Sequence, residues 1–218
     1  MSKHLKIDFV SDVACPWCAV GLGALEQALE QLQPDITAAI HFQPFELNPH
    51  MAPGGEDLVE HLGKKYGSTA QQQSQMYQNI KARGAEVGFA FHPTGRGRIY
   101  NTFDAHRLLH WAEVTGGAQA QHRLKKAFLN AYQGRGEAID SHEVLLNVVQ
   151  AEGMDVAAAQ AVLQSDDFAQ AVRDKEHFYT SAGIHSVPAI IINDRHLISG
   201  GQPTQVFAQA LREIAEQA

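Results

Sequence analysis

The only two cysteines in this 218-residue chain fall in the stretch VACPWCAV, as Cys15 and Cys18. Random placement would give that spacing about one time in a hundred, so the pair calls for a chemical reason. It can ligate a metal, close a small disulfide or exchange electrons as a dithiol. A structural bridge is the weakest of these, because so short a loop gains little from being closed. Zinc would need two more ligands, and His106 and His110 have the H-x3-H spacing of a ligand pair on a helix. They lie far down the chain, where compact zinc modules keep about 12–15 residues between pairs. The chain also has 12 histidines, so such a pair is unsurprising, and no metal is expected. Dithiol exchange needs one accessible, acidic thiol and a second within reach.

The elements around the pair suit that chemistry. LKIDFV at 5–10 alternates with period two and reads as a strand. Leu22, Leu25, Leu29 and Leu32 form a helical stripe that Pro34 ends, and TAAIHFQPF at 37–45 is a second strand. Strand, helix, strand with short links is a parallel βαβ unit. From about 50 to 183 the patterns are almost all helical. Asn101 is read as the cap of a helix ending at Gly116, Asp140 opens a capping box, and Asp155 and Ser165 cap two more helices. VPAIII, the turn NDR and HLIS then make a hairpin, and a last helix carries Phe207, Leu211 and Ile214. The fold class is therefore α/β, a thioredoxin fold with a large inserted all-helical domain. Residues 1–48 and 176–218 are expected to form the thioredoxin-like part, and 49–175 the insertion.

In this plan Cys15 sits where the first strand meets the first helix. Pro16 takes the first helical position, which its fixed φ suits. The unpaired N–H groups of a helix start favour an anion, here the Cys15 thiolate. Cys18, one turn further in, is placed to resolve a mixed disulfide formed on Cys15. Trp17 is either an apolar contact for substrate or a ring packed on the insertion. Pro188 heads a buried strand, an odd place for a residue that cannot donate to a ladder. By itself it reads as a loop-to-strand proline, but thioredoxin-like folds carry a cis peptide bond opposite the cysteine pair, and by that resemblance Val187–Pro188 is expected to be cis.

The stretches SDVACPWC, FQPFELNP, KKYG, NTFDAHRLLHWA, AYQGRG, GIHSVPAIIIN and SGGQ together resemble the DsbA family of thiol–disulfide oxidoreductases, within it the FrnE-like branch. The resemblance implies catalysis by Cys15 and Cys18 beside a cis proline at 188, with Val187 offering its backbone to substrate. Thioredoxin-like enzymes usually keep a buried acid six residues before the first cysteine. Phe9 stands there, leaving Asp8 or Asp12 for the role. Asn101 and His106 lie in one of the matching stretches and are candidate support residues on helices expected to roof the site. The partner would be a disulfide-containing protein or a small thiol. No cofactor is expected, with glutathione a candidate redox partner. Kappa-class glutathione transferases and hydroxychromene-carboxylate isomerases resemble the same architecture and are the alternative, but such an enzyme has no use for Cys18. A non-catalytic interaction module would leave both cysteines unexplained.

Bulk properties agree with a soluble globule: 44% hydrophobic and 19% charged residues. A net charge of −7 argues against nucleic acid. The basic groups GRGR (95–98) and HRLKK (122–126) read as a loop and a solvated helix face. No stretch approaches the about 18 apolar residues of a membrane span. The opening MSKHLKIDFVSD holds no apolar run of signal-peptide length, so a cytoplasmic setting is expected.

Overall fold

Leu5, Ile7 and Phe9 alternate with His4, Lys6 and Asp8, and this period builds the first strand, β1 (Lys3–Ser11), in the computed structural model, which describes residues 2–217. The chain continues through α1 (Pro16–Leu32), β2 (Ile36–Pro44), β3 (Glu56–Asp57), α2 (Leu58–Tyr66), α3 (Ala70–Glu86) and β4 (Arg98–Ile99). After these come α4 (Phe103–Leu129) with a π-helical turn at Asn130–Gly134, α5 (His142–Ala151), α6 (Val156–Gln164) and α7 (Ala169–Ser181). The chain ends in β5 (Ala189–Ile192), β6 (His196–Ser199) and α8 (Thr204–Glu216).

The main sheet has the order β2-β1-β5-β6, with β1 parallel to β2 and antiparallel to β5. β1 is central, and from Ile7 onward side chains on both its faces are buried, while His4 and Lys6 near its start stay exposed. Leu5, Ile7 and Phe9 join the large core against α1 and α8. Val10 points the other way, into a smaller core with Phe45, Tyr179, Ile184 and Ala189. The fold is the thioredoxin arrangement with helices inserted between β2 and β5. The boundary expected at 175/176 falls inside α7, which is one helix.

α4 shows how the insertion grips the sheet. Gly117 (φ 74°, ψ −178°) interrupts it, so the helix end expected at Gly116 is a break within a longer element. Before the break, Glu113 pairs with His41 at 2.8 Å; beyond it, His122 packs on Phe42 with ring centroids 5.3 Å apart. Residues 41 and 42 face opposite sides of β2, so α4 wraps around the sheet edge. There Gln121 Oε1 accepts the Phe42 N–H at 2.8 Å while its Nε2 donates to the Phe42 carbonyl at 2.9 Å. One side chain thus satisfies both backbone groups of an edge residue.

Three local expectations need correction. The paired dipeptides of β3 and β4 interrupt the helical block, and two-residue strands carry no legible period. Ser141, not Asp140, caps α5, because Asp140 is taken by the Gly54 N–H at 2.8 Å. Ser165 ends α6 instead of starting α7, which begins after Phe168. The buried Arg107 guanidinium draws the Val162, Ser165 and Asp167 carbonyls to itself and holds that stretch out of helix.

Candidate active site

Cys15 is the N-cap of α1, with extended backbone (φ −89°, ψ 114°), and Pro16 follows in the first turn. The Cys15 N–H donates to the Asp12 carbonyl and the Cys18 N–H to the Cys15 carbonyl, each at 3.1 Å. This tight turn sets the thiols one helical turn apart. Both are free, with Cys15 5% exposed and Cys18 fully buried. The Cys15 thiol donates to the Val187 carbonyl at 3.4 Å, and the Val187–Pro188 bond is cis. Pro188 is buried while His185 and Ser186 before it are exposed.

Close packing holds the two segments together. A side chain at Gly21 of α1 would lie 3.2 Å from Pro188 Cγ, and one at Gly201 would come within 2.9 Å of the Trp17 carbonyl. Both glycines are therefore contact points beneath the cysteine turn. Trp17 is half-buried and packs on the large core.

The thiols are driven apart in acidity. The hydrogen bond from Cys18 holds the Cys15 thiol below its ordinary pKa against the effect of burial, aided by the Cys18 and Trp17 N–H groups. Burial pushes Cys18 well up, and the Cys15 charge adds to that rise. Cys15 is thereby made the more acidic thiol of the two and Cys18 the less acidic.

Of the two candidate acids, Asp12 is the nearer. It is fully buried and accepts the Ala14 N–H at 3.0 Å and the Leu47 N–H at 2.7 Å. Burial raises its pKa, but the His106 imidazole and these two donors outweigh it and hold the carboxyl low. Its charge in turn works against a Cys15 thiolate. Asp8 accepts from Gln43 at 2.6 Å and pairs with Lys6 at 3.0 Å. His106 is buried, with Nε2 3.1 Å from the Phe45 carbonyl and 3.6 Å from Asp12 Oδ1, so it reaches the site through Asp12. Asn101 Oδ1 accepts the Phe103 N–H at 2.9 Å, a turn at the start of α4. His110 meets the Phe168 ring edge-on at 5.5 Å, so it and His106 have separate environments.

Sequence reading missed Lys125. HRLKK does not lie wholly on a solvated face: His122 and Lys126 bond to Glu26, but Lys125 is fully buried. Its signal was the spacing of Gln121, Lys125, Phe128 and Tyr132 at 4, 3 and 4, a buried stripe that admits two polar residues. Also missed was Gln133, whose Nε2 donates to the Val13 carbonyl at 2.8 Å and ties the π-helical turn to the cysteine loop. A third omission is Glu46, paired at 2.5 Å with Arg173, which also holds Glu176 at 2.8 Å.

A central βαβ unit, a dithiol at its helix start and a facing cis proline define a thioredoxin-type redox protein. The chain belongs to the DSBA-like thioredoxin domain family, whose profile matches residues 6–212. It is 27% identical to the uncharacterized protein YwbO of Bacillus subtilis, over 98% of both chains. A probable DsbA oxidoreductase from Streptomyces coelicolor shares its fold at a TM-score of 0.88 and 29% identity, covering 99% of this chain and 92% of that one. Two more distant structures, each 16% identical, share the fold alone. A 2-hydroxychromene-2-carboxylate isomerase aligns at TM-score 0.72 over 97% of each chain. The cytosolic disulfide reductase DsbM from Pseudomonas aeruginosa, solved with GSH, aligns at 0.62 over 96% of this chain and 98% of that one. Among the described residues no helix is long and apolar enough to cross a membrane.

Proposed function

We propose that this protein reduces or isomerises disulfides by dithiol exchange, with Cys15 attacking and Cys18 resolving. The observation that carries this reading is two free thiols one turn apart at the start of α1, with Cys15 bonded to the Val187 carbonyl beside Pro188. The Cys15 thiolate attacks one sulfur of the substrate disulfide, and the leaving thiolate takes a proton from water. Cys18 then loses its proton and attacks Cys15 Sγ, expelling the second substrate thiolate. The substrate gains two electrons and two protons, and the pair is left as a disulfide. A small thiol of the glutathione class returns it to the dithiol.

Val187, beside Cys15 at the start of β5, presents its backbone to an extended substrate segment in strand-edge fashion. The inserted helices roof this edge and supply selectivity, a role supported by the tie from Gln133 to Val13. The reducing direction and a cytoplasmic setting draw support from the shared fold of the cytosolic reductase DsbM. A glutathione-dependent isomerase of small molecules is the rival, since the isomerase neighbour has this fold too. It leaves the second thiol without a role.

The test is alkylation at neutral pH together with reduction of insulin. Cys15 should be labelled first, Cys18→Ser should trap mixed disulfides through Cys15, and the unmodified chain should reduce insulin. Preferential labelling of Cys18, or an inert dithiol, would overturn the reading.

A further inference from the structure

We infer that Lys125 is the charge-compensating partner of Cys18: the proton that leaves Cys18 as it attacks the mixed disulfide is matched by one arriving at the Lys125 amine. This rests on the dithiol reading above and assigns the proton bookkeeping of its second step.

Three structural facts lead here. Lys125 is fully buried, and its Nζ makes no hydrogen bond. A permanent ammonium in such a place would be costly unless a negative charge appears nearby. Second, its position is fixed from both sides. Lys125 lies one turn beyond Gln121, whose side chain is locked to the Phe42 backbone, and its Nζ is 5.8 Å from the Phe42 ring centroid. Phe42 packs on Phe9 with centroids 5.6 Å apart, and Phe9 reaches Gly21, which contacts Pro188. Lys125 and Cys18 therefore belong to one packed core beneath the site. Third, β1 offers Phe9 where an acid could have stood, so the strand itself supplies no proton acceptor there.

The titratable groups whose charge reaches Lys125 are Cys18 and Cys15 of α1 and Asp12 of the preceding turn. Burial lowers the Lys125 pKa, while Cys18 is the largest influence holding it up. Reciprocally, the Lys125 charge lowers Cys18, whose burial otherwise pushes it well above the ordinary thiol range. Burial of an Nζ without a hydrogen-bond partner works against its ammonium form until a further negative charge forms at Cys18. When Cys18 ionises, a thiolate and an ammonium appear together and stabilise each other in a medium of low dielectric. In the second step the Cys18 thiolate bonds to Cys15 Sγ, the Cys15–substrate S–S bond breaks, and the departing substrate thiolate carries off the electron pair. Loss of the Lys125 proton then restores the starting charge.

The experiment uses the full chain with Lys125→Met, which keeps length and apolar volume, and follows Cys18 alone in a Cys15→Ser background. The Cys18 midpoint should rise by about one pH unit, a tenfold loss of thiolate at fixed pH. Release of a mixed disulfide on Cys15, measured with both cysteines present, should slow about as much, and its pH profile should move upward. Melting temperature should hold or increase, since an unpaired buried amine has been removed. If Lys125→Met does not fold, ¹³C-lysine NMR of the natural chain serves instead. Linkage is reciprocal, so the Lys125 midpoint should fall by the same amount in Cys18→Ala. Equal Cys18 midpoints with and without Lys125, or a Lys125 midpoint indifferent to Cys18, would overturn the inference and leave dithiol exchange intact. Failure to reduce insulin would overturn dithiol exchange, while the coupling of the two midpoints stays measurable.

Discussion

Asp12 holds the cysteine turn in place while opposing the thiolate that the turn presents. Its two carboxylate oxygens organise the loop through the Ala14 and Leu47 N–H groups. Its negative charge raises the Cys15 pKa. Asp12→Asn separates the two roles. The amide accepts one N–H and turns its own donors toward the other, leaving a buried group unpaired at about 1–3 kcal/mol. The expected result is a lower melting temperature together with a lower Cys15 midpoint, read by alkylation rate against pH. An unchanged or higher midpoint would refute the electrostatic part. The Asp12 pKa is depressed by folding, so its stabilisation is present above the unfolded value and is lost as acid protonates it. The gap in melting temperature between natural chain and variant should therefore narrow below about pH 4.

At the scale of elements, the sheet edge and the inserted helices hold each other by a few polar contacts. Gln121→Met keeps volume but strips both partners from the Phe42 backbone, each worth about 1–3 kcal/mol when left buried. Chemical denaturation should show a loss of that order, and faster hydrogen exchange along β2 would locate it. Arg173 of α7 pairs with Glu46, just beyond the end of β2, and with Glu176 on its own helix, and it also lies over the Phe103 ring at 3.7 Å. Burial is the first cause raising both carboxyl pKa values. Carboxyls of raised pKa bind more protons folded than unfolded, so their contribution falls as pH rises through the carboxylate range. Arg173→Met removes the cation that offsets this. Its loss in melting temperature should be larger at pH 8 than at pH 5, and an equal loss at both would mean that Arg173 acts by packing alone.

Across the whole molecule, redox poise sums the influences on Cys15. A dithiol becomes a strong oxidant when its thiolate form is heavily stabilised. Here the helix start and the Cys18 hydrogen bond assist the thiolate, but the dipeptide between the cysteines is Pro-Trp, without a histidine, and Asp12 opposes the charge. Equilibration with glutathione buffers should give a potential well below the about −120 mV of the strongly oxidising periplasmic enzyme. A value near that figure would show that another group stabilises the thiolate.

The outline of the fold and the redox pair were legible in the chain because they rest on local rules. Alternation gave β1, leucine spacing gave α1, and a cysteine followed by proline marked the helix start at Cys15. Asn193 and Asp194, both at positive φ, form the turn that NDR indicated. What surrounds the pair was decided by tertiary contacts. Which aspartate neighbours Cys15 depended on where the Leu47 N–H comes to lie, and the caps of α5 and α7 shifted when Gly54 and Arg107 claimed the local groups. Lys125 is the sharpest case. In sequence it is one lysine in a basic run, and α4 turns it inward because the break at Gly117 carries the helix around the edge of β2. Periodicity assigns a residue to a face of its own helix. Only packing decides what that face meets.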